Sequence, residues 1–296
     1  MHEPDFLLRA TIAAPAKAVY EALTDPAALR VWLAEHAEVE LPARYAFWGR
    51  FTPDGAEPHQ RLLHADERTI SFAWTVEGHE TTVEFQLDED GDGTVLTLSQ
   101  ADLPSFEDVL ADRAGAFGAT STFWSLAVAN LADYLAGRPL TPMVDFTSPE
   151  LRAEVVIDAT PEAVFDSLVN PGQVGRWMGA KVDIEPWAGG RYAMGGFDLD
   201  PGGITFAEFE PGRKATLRFA DGLLSSWELE GSAGGTRITF VQSGFDATNP
   251  PYPGWAGWLS GVADLRAFHE LPGWRPGWRK MAIAGVPAGF EPDHEA

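Results

Sequence analysis

The feature that most restricts how this chain can fold is that it repeats itself. The segment Ile12 to Leu33 (IAAPAKAVYEALTDPAALRVWL) lies over Ile157 to Met178 (IDATPEAVFDSLVNPGQVGRWM) without a gap. Val19 then matches Val164, Tyr20 matches Phe165, Leu23 matches Leu168, Pro26 matches Pro171 and Trp32 matches Trp177. After a two-residue insertion Arg44-Tyr45-Ala46 recurs as Arg191-Tyr192-Ala193, and later Gly93-Thr94 with Leu96-Thr97 recurs as Gly235-Thr236 with Ile238-Thr239. Similarity at so many spaced positions means two copies of one unit, and 296 residues is an ordinary length for two domains.

Each copy opens with an alternating segment, Leu7 to Ile12 and Ala153 to Ile157, the pattern of a half-buried strand. A helix follows. In the second copy Thr160 is placed to cap it with Pro161 at its first position, and Pro171 stops it before a short second helix ending near Trp177. Strand-like runs succeed one another at Glu38 to Leu41, Arg44 to Phe51, Arg61 to His64, Thr69 to Val76, Thr82 to Leu87 and Thr94 to Ala101, separated by Gly/Asp/Pro clusters. That is the pattern of a meandering antiparallel sheet.

Both copies close on a longer helical pattern. In the second, Trp255, Trp258, Leu259, Val262, Leu265 and Phe268 recur at spacings of three and four; in the first, Phe123, Leu126, Leu131, Tyr134 and Leu135 do so, with Gly137 as the stop. Burying half a dozen such side chains contributes roughly 10 kcal/mol before entropy is subtracted, so the helix is expected to lie across the sheet. The expected organisation is a divergent domain at 1–137, a proline-bearing linker at 138–149, a second domain at 150–271 and a tail at 272–296.

The residues Thr160-Pro161-Glu162-Ala163-Val164-Phe165, Asn170-Pro171, Arg176-Trp177, Gly189-Gly190-Arg191-Tyr192, Glu208-Phe209-Glu210-Pro211, Gly235-Thr236-Arg237-Ile238-Thr239, Ser243-Gly244-Phe245 and Gly254-Trp255 follow in an order that resembles one known family. It is the heat-shock-chaperone ATPase activator homologue family of the START-like (SRPBCC) superfamily. The resemblance covers about 120 residues of the second copy and most of residues 7–137 of the first. The first copy departs from it: Leu62-Leu63-His64 stands roughly where the second has Glu208-Phe209-Glu210, and a longer segment, Leu103 to Thr120, precedes its last helix. The resemblance implies an α+β fold of two tandem helix-grip domains, each an antiparallel sheet wrapped around a long C-terminal helix and enclosing an apolar cavity. It implies no single activity, because related folds serve carriers, sensors, cyclases and chaperone regulators.

Composition narrows the functions. A formal net charge of −23, from 44 acidic against 21 basic residues, repels phosphate backbones and anionic lipid surfaces and argues against nucleic-acid and membrane partners. No apolar run is long enough to span a bilayer, and Met1-His2-Glu3-Pro4-Asp5 lacks the basic flank and apolar run of a signal peptide, so a cytoplasmic protein is expected. With no cysteine, disulfides and thiol chemistry are excluded. The seven histidines are scattered with no metal-ligand spacing, and no metal or cofactor is expected. Asp88-Glu89-Asp90-Gly91-Asp92-Gly93 imitates the start of a calcium loop, but Ser99 stands where a bidentate glutamate is needed, and a hairpin turn is the simpler reading.

No nucleophile elbow, phosphate loop or dinucleotide fingerprint is present. Glu208 is the one weak catalytic candidate, a general base if strand parity with Phe206 places it in the cavity and burial raises its pKa; the alternative is a solvated or ion-paired strand residue. The aromatic sets are Trp32, Phe47, Trp74 and Phe85 in the first copy and Trp177, Tyr192, Met194, Phe206, Trp227, Trp255 and Trp258 in the second. They serve equally as core or as pocket lining. The leading expectation is a non-enzymatic carrier or sensor of an apolar or aromatic small molecule. The alternatives are a cyclase, dehydratase or hydrolase using a pocket carboxylate, and a chaperone-regulating interaction protein; a homodimer stays open. Trp48, on the opposite strand face from Tyr45 and Phe47, is expected at a domain or dimer contact, or flat on an arginine stem. The second copy, with Met194-Gly195-Gly196 and Gly202-Gly203, is expected to be the better binder.

Overall fold

The computed structural model of the chain describes residues 4–104, 116–199 and 203–284. Each copy of the repeat forms the same order of elements. The first has β1 (Phe6–Ile12), α1 (Ala16–Thr24), α2 (Pro26–Trp32), β2 (His36–Glu40), β3 (Arg44–Trp48), β4 (Gln60–Ala65), β5 (Thr69–Val76), β6 (His79–Asp90), β7 (Gly93–Ala101) and α3 (Ala116–Leu135). The second has β8 (Leu151–Ile157), α4 (Pro161–Val169), α5 (Pro171–Met178), β9 (Val182–Ile184), β10 (Arg191–Met194), β11 (Ile204–Glu210), β12 (Lys214–Arg218), β13 (Leu224–Ser232), β14 (Gly235–Ser243) and α6 (Tyr252–Glu270). A last strand, β15 (Arg279–Ile283), follows. The fold is α+β, two tandem helix-grip domains.

The chain divides into two compact units. One holds the described residues through Thr147 with Pro251–Ser260 and those from Trp278 onward; the other holds the described residues of Ser148–Pro250 with Gly261–Gly277. The sheet of the first unit runs β15-β1-β7-β6-β5-β4, with β2 and β3 as a separate ladder. Where β3 meets β4 a side chain replaces the ladder: the Phe47 amide donates to Gln60 Oε1 at 3.2 Å. The segment read as a linker packs on this unit, where Asn130 exchanges two 3.0 Å hydrogen bonds with the Thr141 backbone and Val144 is buried. Part of the segment read as a tail forms β15, which pairs antiparallel with β1 and places Ile283 opposite Phe6. Gly202, residues 105–115 of the Leu103 to Thr120 segment and the tail beyond Ala284 lie outside the described residues.

The second unit has a continuous sheet in the order β8-β14-β13-β12-β11-β10-β9. Its helices begin where the local chemistry dictates. Thr160 accepts a hydrogen bond from the Ala163 amide with Pro161 at the first helical position, and Asn170 does the same for Gly172 ahead of Pro171. Gly179, at φ +72°, ends α5 in the left-handed conformation that glycine adopts without steric cost. The run Asp88 to Gly93 is the β6–β7 hairpin, turning at Gly91 with φ +61°. No helix among the described residues is long and apolar enough to cross a membrane.

Two buried polar contacts recur in both copies and fix the helical layer to the sheet. The Trp32 indole N–H donates to Ala22 O at 3.1 Å, and Trp177 donates to Ser167 O at 2.7 Å. Thr94 Oγ1 donates to Ala14 O at 2.7 Å, and Thr236 Oγ1 to Ala159 O at 2.6 Å. Each hydroxyl ties the turn after the first strand to the last strand of its sheet. Replacing it with a methyl group of the same shape leaves a carbonyl unpaired, which costs about 1–3 kcal/mol. Thr236→Val is therefore expected to lower the urea midpoint of the full chain by a corresponding amount, and an unchanged midpoint would mean that this contact holds nothing.

Candidate ligand-binding site

The inner face of each sheet, covered by the helices, is where a helix-grip fold has room for a small molecule. In the first unit that face is filled. Phe6 and Leu8 on β1, Leu98 on β7, Val83 and Phe85 on β6, Phe72 and Trp74 on β5 and Phe47 on β3 are all within 1% of complete burial. Helix α3 drives Trp124 among them, its ring centroid 5.5 Å from Phe85, 5.6 Å from Trp74 and 6.0 Å from Phe47. The four aromatic residues expected to line a first pocket, Trp32, Phe47, Trp74 and Phe85, are thus buried core residues. Polar groups in this core are mostly paired with one another. The Trp124 indole N–H donates to Gln100 Oε1 at 3.1 Å, Gln100 Nε2 donates to Thr81 Oγ1 at 3.0 Å, and Thr81 Oγ1 donates to Trp74 O at 2.9 Å. Tyr45 is one exception, its buried hydroxyl unpartnered and its pKa pushed up by burial; the Thr52 and Thr141 hydroxyls of this unit are likewise buried without a partner.

The two sheets are in the same register, so their inner faces can be compared position by position. Gln100 stands opposite Phe6 and Val83, and Gln242 stands opposite Leu151 and Ser225. One pair further along, Leu98 stands between Leu8 and Phe85, and Phe240 between Ala153 and Trp227. On the next strand Phe72 and Ile70 correspond to Leu217 and Ala215. In the second unit five large groups have therefore become smaller: Phe6 is Leu151, Leu8 is Ala153, Ile70 is Ala215, Phe72 is Leu217 and Val83 is Ser225. Two have grown, Leu98 to Phe240 and Phe85 to Trp227, and those two stack on each other at 5.3 Å with their planes 17° apart.

The closing helices differ in the same direction. All the large apolar side chains of α3 belong to the first unit, and α3 approaches β1, α1 and α2 closely, backbone to backbone. Only the Gly261–Glu270 half of α6 belongs to the second unit, where it contributes Val262, Ala263 and Leu265, and it makes no comparably extensive approach to β8, α4 or α5. Gly261 faces the Trp177 ring, which a Cβ there would meet at 3.5 Å.

The expected site residues divide accordingly. Trp177, Tyr192, Phe206 and Trp227 are buried within the second unit. Trp255 is buried and Trp258 half-buried, on the stretch of α6 that groups with the first unit. Met194 is 40% exposed rather than lining, because β10 ends there and Gly195 and Gly196, at φ +80° and +100°, turn the chain away.

Glu208 also departs from expectation. A β-bulge between Phe206 and Glu208 adds one residue against β12, so that Phe206 faces Leu217 on the inside while Glu208 pairs with Thr216. The same bulge lies between Leu62 and His64, so His64 is the counterpart of Glu208, two residues from the alignment read off the sequence. Glu208 is held outside the cavity by Lys214 at 2.7 Å, which also reaches Glu228 at 3.2 Å, and by the Thr216 hydroxyl at 2.9 Å. Lys214 first and Thr216 second hold its carboxyl below the usual glutamate range, the opposite of what a general base requires. Signals for the site that the sequence reading passed over are Gln242 and Ser225, whose alternating positions on β14 and β13 put them on the inner face.

Other polar features are separate from that face. An open cleft of about 440 Å³ in the first unit is lined by Glu35, His36, Trp48, Arg50 and Phe146 among others; Arg50 pairs with Glu35 at 3.4 Å. The Trp48 ring lies 5.3 Å from the His36 ring, centroid to centroid. Arg191 grips Glu185 with two nitrogens at 3.1 and 2.9 Å, and that bond lowers the Glu185 carboxyl to about 2. Burial pushes His269 below the ordinary imidazole value.

The model of one protein family, described as Activator of Hsp90 ATPase homolog 1-like protein, matches the chain twice, at residues 13–136 and 158–266. Among solved structures, CalU16 from Micromonospora echinospora is 25% identical over 45% of this chain and 74% of its own, with a TM-score of 0.36. DynU16, a putative protein in the dynemicin biosynthetic locus, is 17% identical over 90% of this chain and 100% of its own, with a TM-score of 0.38. CV1439 from Chromobacterium violaceum is 24% identical over 42% of this chain and 99% of its own, at 0.35. No curated protein matches.

In an NMR titration that follows side-chain carboxyl carbons, Glu208 is expected to titrate below the ordinary glutamate value, and Lys214→Met to move it upward. A midpoint above the ordinary value in the unaltered chain would reinstate the general-base reading.

Proposed function

Since the chain belongs to the Activator of Hsp90 ATPase homolog 1-like family, matched in both halves, we propose that it is a non-enzymatic carrier or sensor that takes an apolar or aromatic small molecule into its second unit. The observation that carries this is the register-matched difference between the inner faces: five residues are smaller at Leu151, Ala153, Ala215, Leu217 and Ser225. Trp227 and Phe240, stacked on each other, stand next to Ala153 and Ala215 on that face. The outward-facing, ion-paired Glu208 speaks against a carboxylate-dependent enzyme.

Magnitudes suit this reading. A two-ring aromatic molecule hides about 200 Å² of apolar surface, worth about 5 kcal/mol at ~25 cal/mol per Å². After losses on association the expected dissociation constant is about 0.1–1 mM, and larger ligands bind more tightly.

The test uses the full chain and 2-naphthol, followed by tryptophan quenching and native mass spectrometry. One molecule per chain is expected. Leu217→Phe, which restores the residue of the first unit, should abolish binding without lowering the urea midpoint, whereas overfilling a packed core costs about 1–3 kcal/mol. Failure of the unaltered chain to bind, or a Leu217→Phe variant that is destabilised and binds normally, contradicts the proposal.

A further inference from the structure

We propose that the ligand of the second unit carries a hydroxyl at its buried end and that the Gln242 side chain receives it, an assignment that rests on the second unit being the binder. Gln242 is 3% exposed, its Nε2 donates to Ser225 Oγ at 2.9 Å, and its Oε1 has no partner. The chain contains its own reference for this group. Gln100 occupies the same position of the first sheet, bonds through the same amide nitrogen, and has its Oε1 satisfied by the Trp124 indole.

The two other polar contacts compared between the copies, those of Trp32 and Trp177 and of Thr94 and Thr236, are kept in both. Of the three contacts compared, the glutamine amide is the one that differs. Two of the five smaller residues stand at the same point: Phe6 and Val83 are directly opposite Gln100, and Leu151 and Ser225 are directly opposite Gln242.

A buried amide oxygen without a donor is unfavourable, and an occupant able to donate relieves it. Trp227 and Phe240 form the next inward-facing pair, two residues further along the same two strands, so an aromatic ligand on this face reaches the amide with a terminal hydroxyl. Ser225 Oγ can donate or accept, so the amide can also turn and give its N–H to the ligand oxygen. A hydroxyl suits either orientation, which a carbonyl or an ether does not.

The experiment compares 2-naphthol with 2-methylnaphthalene, which replaces the hydroxyl by a methyl group of similar size, on the full chain and on Gln242→Met. In the unaltered chain the affinity ratio of naphthol to methylnaphthalene is expected to exceed that of the variant by about fivefold to tenfold, the worth of one such hydrogen bond. The Gln242 side-chain amide resonances should also shift with 2-naphthol and remain nearly still with 2-methylnaphthalene, a readout independent of whether the variant folds. Equal ratios in the two proteins, or equal resonance shifts, overturn the assignment while leaving the second unit a binder. If neither compound binds the unaltered chain, the carrier reading fails together with it.

Discussion

The inner face of each sheet is mostly apolar, and leaving its apolar area in water would cost about 25 cal/mol for each Å² exposed. Something must cover it. In the first unit the cover is complete: α1, α2 and all of α3 close over the sheet, and Trp124 descends between Phe47, Trp74 and Phe85. In the second unit the half of α6 that groups with the sheet contributes Val262, Ala263 and Leu265. Under the proposed function, the second sheet differs from the first in how large the side chains on its inner face are.

A repeated fold provides a comparison inside one molecule, under one set of conditions. Contacts present in both copies are structural: the indole of Trp32 or Trp177 on a helix carbonyl, and the hydroxyl of Thr94 or Thr236 on the turn after the first strand. A contact present in one copy and lost in the other identifies a position whose role has changed. The amide of Gln242 is such a position, and two of the residues that have become smaller, Leu151 and Ser225, stand directly opposite it.

Much of this architecture was legible in the sequence because it rests on local patterns. The repeat, the Thr160-Pro161 and Asn170-Pro171 helix starts, the Gly137 stop and the alternation of β1 and β8 are each written in adjacent residues. The bulge next to Glu208 was not legible. Nothing in Phe206-Ala207-Glu208 marks an extra residue, and one extra residue reverses every side chain that follows. The split of α6 was equally hidden, since Trp255 and Leu265 lie on one apolar stripe although their halves belong to different units. The pairing of Arg279–Ile283 with β1 joins residues more than 260 positions apart, for which no local signal exists. For the site, the aromatic positions were recognisable, but distinguishing lining from core required strand register, because Phe47 and Met194 hold equivalent places in the sequence and end up 0% and 40% exposed.

The central claim is that unfilled volume exists on the inner face of the second sheet and not on that of the first. Xenon enters dry apolar cavities without needing a specific contact, so a crystal of the full chain under xenon pressure reads the claim directly. The account predicts a xenon peak beside Leu217, Ala153 and the Trp227–Phe240 stack, with none among Phe47, Phe72 and Trp124. Xenon among the first unit's aromatic residues, or no xenon on the second sheet's inner face, would contradict it.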